Sequence, residues 1–179
     1  MFFQEASCLC EDSALLIEGF KLSVAPGGRG RGVALYIRED IYKKKVKDIV
    51  IINEENVQAI IILFTSFLLA GVYVPPKADM SQVVPSLQLE KHTEKREKCL
   101  VVGDFNFDFS SEEKHPIRTQ MTSLKYEQLM KYPSHYAGSV LDMAYKKGKW
   151  DILKDKKLLC AYSDHFGLSV SIAKKVLTK

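Results

Sequence analysis

Apolar and polar positions along this chain fall into short blocks rather than long helical stripes. Met1–Glu5, Phe20–Ala25, Gly32–Arg38, Val46–Ile52, Asn56–Phe64 and Phe67–Val74 are apolar or alternating runs, and they predict strands. Asn53-Glu54-Glu55 reads as a turn between two of them, and Pro75-Pro76 stops the last. Cys99–Val102, Ser139–Tyr145, Lys157–Tyr162 and Gly167–Ala173 predict four more strands. Helical character is confined to three stretches. Cys10–Glu18 is a turn with Asp12 or Ser13 near its start. Met80–Lys95 is amphipathic, with Val83, Val84, Leu87 and Leu89 on one side and Pro85 inside its first turns. Ser110–Lys131 opens on Ser110 or Ser111 before Glu112-Glu113, and Pro116 limits its first piece. Lys174–Lys179 is a short basic tail expected to fray. Most strands follow one another without a helical crossover. That order predicts one domain over residues 1–179, an α/β fold in which two packed, mainly antiparallel sheets are flanked by helices in a four-layer sandwich.

Composition narrows the picture only a little. Hydrophobic content of 46% and charged content of 27% are ordinary for a globular protein. Val57–Val74 is nearly all apolar, but Gln58 and Thr65-Ser66 interrupt it, and two buried strands explain it better than a membrane span. Cys8, Cys10, Cys99 and Cys160 lack zinc-ligand spacing, and a reducing intracellular setting is expected. Met1-Phe2-Phe3 runs into Gln4-Glu5 without the basic start and long apolar stretch of a secretion signal. The net charge of +4 suits a polyanionic partner without requiring one, and Lys43-Lys44-Lys45 reads as a solvated face.

Candidate chemistry lies where strands end. Leu100-Val101-Val102 runs into Gly103, and Asp104 and Asn106 follow at i and i+2. At the edge of a sheet, Asp104 can hold a hard divalent cation and Asn106 can orient a phosphate or water; an ordinary turn is the plainer reading. Ser163-Asp164-His165 lies between two strands, and a histidine there suits general acid–base work. His92 falls in a charged helix, and His115 and His135 lie beside prolines in loops, which leaves His165 as the histidine at the site. Asp142 sits inside an apolar strand, where a carboxylate is costly unless paired; His165 is the expected partner, and a wet strand face is the alternative. Gly27-Gly28-Arg29-Gly30-Arg31-Gly32 is neither a Walker loop nor a dinucleotide turn. It reads as a hairpin connection whose Arg29 and Arg31 can touch a phosphate backbone.

Five motifs in order carry a resemblance: Glu5 after an apolar strand, Val72-Tyr73-Val74-Pro75-Pro76, Gly103-Asp104-Phe105-Asn106, Leu141-Asp142 and Ser163-Asp164-His165. Together they resemble the endonuclease/exonuclease/phosphatase superfamily, with its DNase I-like fold. The nearest branch is the apurinic-endonuclease-like domain of non-long-terminal-repeat retrotransposons and Helitron-type mobile elements. Gly32–Arg38 and Tyr132–Ser139 are also similar to that branch. The resemblance implies a DNA-nicking endonuclease using Mg²⁺ or Mn²⁺. Glu5 and Asp164 would be on the metal side. Asp104 and Asn106 would handle the attacking water and the scissile phosphate, and Tyr73 would contact that phosphate. Asp142 would orient His165, which would stabilise the transition state, and the pair Asp104 and Asn106 would face Asp142 and His165 from across two sheets. DNA, a nuclear setting and neighbouring reverse transcriptase or helicase domains follow as expectations. Members of that superfamily begin with one further strand, so an N-terminally truncated sheet, an open edge and an incomplete site are expected. A catalytically impaired remnant that only binds nucleic acid, and a phosphatase acting on small phosphoesters or phosphoinositides, are the alternative readings.

Overall fold

The structure, a computed structural model, describes residues 1–6, 16–28, 31–93, 96–110, 114–130, 132–150, 152–160 and 163–173. The helical turn expected over Cys10–Glu18 falls mostly outside these residues, as do Cys8, Arg29 and the basic tail.

The chain runs β1 (Phe2–Gln4), β2 (Phe20–Pro26), β3 (Gly32–Arg38), α1 (Glu39–Lys45), β4 (Val46–Glu54), β5 (Val57–Phe64) and β6 (Phe67–Tyr73). It continues with α2 (Met80–Leu87), α3 (Leu89–Thr93), β7 (Lys98–Asp104), α4 (Pro116–Ser123), β8 (Glu127–Gln128), β9 (Asp142–Lys147), β10 (Ile152–Leu158) and β11 (Gly167–Ala173). Six strands form one sheet in the order β4-β5-β6-β7-β9-β8, three form a second in the order β1-β3-β2, and β10-β11 form a hairpin. Among the described strands only β6 and β7 pair in parallel.

Why β5 is apolar at almost every position becomes clear from its two faces. Ile60 and Ile62 meet Val33, Leu35 and Ile37 of the three-stranded sheet. Ala59, Ile61 and Leu63 turn the other way, into a core closed by Val83, Val84 and Leu87 of α2 and Ile117 and Met121 of α4. Ile60, Ile61 and Ile62 are fully buried, each contributing about 1.5–3 kcal/mol of transfer free energy. The expected α/β sandwich is therefore present, with mixed sheets and few helices on its faces. No helix of the described residues is long and apolar enough to cross a membrane, and Val57–Val74 is the β5–β6 hairpin with Val74 following it.

Several elements differ from the sequence reading. The helix expected over Met80–Lys95 breaks at Gln88, whose φ of +47° is left-handed, and resumes as the short α3. Pro85 removes the hydrogen bond that the Ser81 carbonyl would receive, and the Gln120 side chain of α4 supplies one instead at 3.0 Å. Among the described residues of Ser110–Lys131 only Pro116–Ser123 is helical, with Pro116 in the first turn, where a missing N–H costs nothing. Lys43-Lys44-Lys45 closes the unforeseen helix α1, where Glu39 pairs with Lys43. The turn between β4 and β5 falls at Glu55-Asn56, β9 begins at Asp142 rather than Ser139, and the tenth strand spans Ile152–Leu158 rather than Lys157–Tyr162.

β1 pairs with β3 on one side and, among the described residues, has no strand on the other. It is held onto the large sheet by close approach: a Cβ on Gly71 of β6 would lie 2.0 Å from the Phe2 ring. β1 and β11 line opposite parts of a cavity of about 670 Å³, floored by Leu69, Leu100, Val102 and Gly103. Among the described residues, β1 is thus the edge strand of the small sheet that lies beside the site.

Candidate active site

Gly103 sets the geometry. A Cβ there would stand 1.9 Å from the Val72 carbonyl oxygen, so only glycine lets β7 lie this close to β6. The pairing places Asp104 opposite Tyr73 on one side and opposite Asp142 on the other. Asp104 and Asp142 are cross-strand neighbours in one sheet, not partners across the sandwich as the sequence suggested. Two carboxylates brought together at the end of adjacent strands repel, and both need a counter-charge.

The chain then turns sharply. Asn106 takes φ +47°, a conformation asparagine tolerates better than most residues. Its backbone N–H donates to Asp104 Oδ1 at 2.8 Å, and its side-chain amide donates to Asp104 Oδ2 at 3.1 Å and to the Val74 carbonyl at 3.0 Å. Asp104 is buried, and burial together with the Asp142 charge pushes its carboxyl up to about 7. His165 enters from the loop before β11. Its Nδ1 lies 2.8 Å from Asp142 Oδ2, and that hydrogen bond raises the imidazole to about 9 against the pull of burial. Within the described residues, Asp104, Asp142 and His165 bring one ligand-capable atom each to within 4.8 Å of one another.

Glu5 follows β1 into the same cavity, with φ +54°. Its Oε1 accepts a long hydrogen bond of 3.4 Å from the Tyr73 hydroxyl. Burial and the Glu5 charge push the Tyr73 hydroxyl up to about 12, and Arg31 acts in the opposite direction. Arg31 therefore lies within electrostatic reach of Tyr73; its backbone N–H closes the hairpin loop on Gly28. Asp164 points elsewhere: its Oδ2 meets His135 Nε2 at 3.1 Å, and that contact holds the exposed carboxyl below its usual range. Asp104, Asp142, His165 and Glu5 thus share one cavity, while Asp164 stands outside its lining.

Sequence reasoning passed over two neighbours. His135, set aside as a loop histidine, forms a β-bridge with His165, their ring centroids 5.1 Å apart. Ser134, 1% exposed, accepts the Leu141 and Asp142 backbone N–H groups on its Oγ. A serine between a proline and a histidine carries no local signal for that. His115 is a core residue instead, buried and stacked on Phe107 at 3.6 Å.

With this geometry in hand, the comparisons are specific. The Endonuclease/Exonuclease/phosphatase family matches residues 1–165, and the chain belongs to that family. The fold is similar to the endonuclease domain of TRAS1, a telomere-specific non-LTR retrotransposon, at TM-score 0.60 and 15% identity over 87% of this chain and 79% of that one. It is also similar to the cytolethal distending toxin of Haemophilus ducreyi, at TM-score 0.65 and 16% identity over 97% and 84%. A third similar structure is the mannosyl-6-phosphatase Bt3783 of Bacteroides thetaiotaomicron VPI-5482, at TM-score 0.56 and 12% identity over 92% and 79%. A sequence comparison with curated proteins finds no match. Family and site together support metal-dependent hydrolysis, and the carboxylates around Asp104 form a hard-oxygen donor set that fits a divalent cation.

Proposed function

We propose that residues 1–179 form one phosphodiesterase domain that nicks DNA with Mg²⁺, with Mn²⁺ as substitute, and that it derives from a mobile element. The observation that carries this reading is the Asp142–His165 pair at 2.8 Å beside the buried Asp104, all facing one cavity. Phosphodiester hydrolysis needs an oriented water and positive charge on the phosphate oxygens. Asp104 accepts a proton from the attacking water, and the Asn106 turn fixes the Asp104 carboxylate for it. The imidazolium of His165, kept charged by Asp142, neutralises a phosphate oxygen. The Tyr73 hydroxyl, protonated throughout the neutral range, donates to the phosphate. Glu5, beside Asp104, would hold the cation, which would supply a Lewis acid for the scissile phosphate, whereas the expected second metal-side acid, Asp164, is bonded to His135 outside the cavity lining. Arg31 contacts the phosphate backbone, as does Arg29, which lies outside the described residues, in keeping with the net charge of +4. A nuclear setting beside reverse transcriptase or helicase domains is part of the same proposal.

The test is nicking of supercoiled plasmid in Mg²⁺ by wild type and His165→Ala. Loss of nicking in the variant supports the reading, and equal nicking by both proteins sinks it. A second reading, a remnant that binds nucleic acid without turnover, is favoured by the open edge at β1 and by Glu5 in a left-handed conformation. It predicts salt-sensitive DNA binding with no cleavage at any Mg²⁺ concentration. A panel including phosphoinositides separates both from phosphatase activity on small phosphoesters.

A further inference from the structure

The loop between β8 and β9 touches both members of the Asp142–His165 pair. Ser134 Oγ accepts the Asp142 N–H at 2.8 Å and the Leu141 N–H at 2.9 Å, fixing where β9 begins. The Ser134 carbonyl accepts the Phe166 N–H at 2.7 Å, and the Tyr136 N–H donates to the Asp164 carbonyl at 2.9 Å. The segment 134–136 therefore lies between the strand that carries the aspartate and the loop that carries the histidine, bonded to both.

His135 adds a side-chain hold whose tautomer follows from its two partners. The Ala137 backbone N–H donates to His135 Nδ1 at 3.0 Å. A ring nitrogen that accepts carries no proton, so the neutral ring bears its hydrogen on Nε2. That N–H points at Asp164 Oδ2, 3.1 Å away. The same bond argues against reading His135, Asp164 and His165 as a metal cluster, although their ligand atoms lie within 4.8 Å of one another. Binding a cation through Nε2 would move the proton to Nδ1 and set it against the Ala137 N–H.

We propose that Ser134 and His135 are positioning residues. Ser134 sets the register between Asp142 and His165, and His135, through its Nε2–H, fixes the Asp164 carboxylate and with it the loop that presents His165. The inference rests on the proposed hydrolytic reading of the site, in which His165 meets the substrate. Partners that orient site residues typically matter by about 10–100-fold in activity.

Two substitutions separate positioning from simple loop packing. In His135→Asn the side-chain oxygen can still accept from Ala137, but nothing reaches Asp164. In His135→Gln the carboxamide N–H reaches the place of Nε2–H, and the Ala137 contact is lost. Both would be compared with wild type, Ser134→Ala and His165→Ala for melting temperature, for kcat and KM of plasmid nicking, and for the imidazole nitrogen signals of His165 by NMR. Folded His135→Asn should lose about 10–100-fold in kcat with little change in KM and should shift the His165 signals, while His135→Gln stays within a few-fold of wild type. Wild-type kcat and unmoved His165 signals in folded His135→Asn overturn the inference, as does equal damage in both His135 variants. Wild-type signals and kcat in folded Ser134→Ala overturn the part assigned to Ser134. If wild type itself does not nick, the His165 signals decide alone. If His165→Ala nicks as well as wild type, the hydrolytic reading fails while the signals still judge the hydrogen-bond hold.

Discussion

Asp142→Asn isolates the charge that holds His165 cationic. The substitution keeps the shape of the side chain and removes the carboxylate 2.8 Å from Nδ1, in a position only 13% exposed. In the wild type that hydrogen bond is the main reason the imidazole is raised from 6.5 to about 9. A shift of that size corresponds to about 3 kcal/mol between charged and neutral ring, at about 1.4 kcal/mol per tenfold change in proton affinity. A quarter of the His165 side chain is in solvent, so screening lowers the useful part to about 2 kcal/mol. The sign follows from linkage. The folded state holds this proton more tightly than the unfolded state, so the stabilisation is complete below about pH 6.5 and is lost as pH rises to about 9. NMR titration of the ring, identified by its absence in His165→Ala, should give a midpoint near 9 in wild type and a fall toward 6.5 in Asp142→Asn. The wild-type advantage in melting temperature over Asp142→Asn should shrink between pH 6.5 and 9. A wild-type midpoint near 6.5, or a midpoint untouched by the substitution, would refute the coupling read from the geometry.

Three further outcomes follow from the same site. Asp104→Asn removes a carboxylate that burial has pushed up to about 7, so without added metal at pH 8 the variant should be more stable, by up to about 4 kcal/mol, while losing cleavage. Because the raised carboxyl costs stability as pH climbs from about 4 through 7, that gain should vanish below pH 4 in calorimetric scans. Gly103→Ala drives a methyl group to within 1.9 Å of the Val72 carbonyl and should cost about 3 kcal/mol or more, seen as a lower urea midpoint; an unchanged midpoint contradicts the close β6–β7 approach. Chelation by EDTA should stop plasmid nicking and excess Mg²⁺ should restore it, whereas nicking that persists in EDTA contradicts a metal-dependent site.

How much of this was legible in the sequence depended on how local each cause is. The strands were readable because β2, β3, β5, β6 and β7 each carry their own apolar pattern. Helices were misjudged where the deciding contact is tertiary: Gln120 rescues the Ser81 carbonyl left by Pro85, and Gln88 breaks the helix by a backbone conformation its residue type does not announce. Gly103-Asp104 and Asp142 were found because a glycine at a strand end and an acid within an apolar run are anomalies in the sequence itself. Their mutual placement was not, since the pairing of β7 with β9 spans a long stretch of chain. Ser134 and His135 were missed for the opposite reason. Each is ordinary where it stands: Ser134 Oγ finds its partners where β9 begins, at Leu141 and Asp142, and His135 Nε2 meets Asp164 only through the approach of a loop some thirty residues later.

The register that joins Asp104 to Asp142 also explains why the site fits a cation. Glu5, Asp104 and Asp142 bring three carboxylates to one cavity, and His165 supplies a single imidazolium. The imidazolium is committed to Asp142 by a direct hydrogen bond, so the surplus negative charge falls on Asp104 and Glu5. The fold deals with that surplus in two visible ways. The Tyr73 hydroxyl stays protonated and leans on Glu5, and Asp104 is held near the point of taking up a proton. Either is a weak substitute for a divalent ion, because a proton neutralises one charge and removes the carboxylate that must accept from water. A bound cation would instead keep Asp104 ionised at neutral pH while balancing Glu5, leaving the Asp142–His165 pair intact. The carboxylate whose ionisation costs the fold stability above pH 7 is therefore the one that the proposed hydrolysis requires ionised. That opposition is why Asp104→Asn should separate stability from activity more cleanly than any other single substitution in the site.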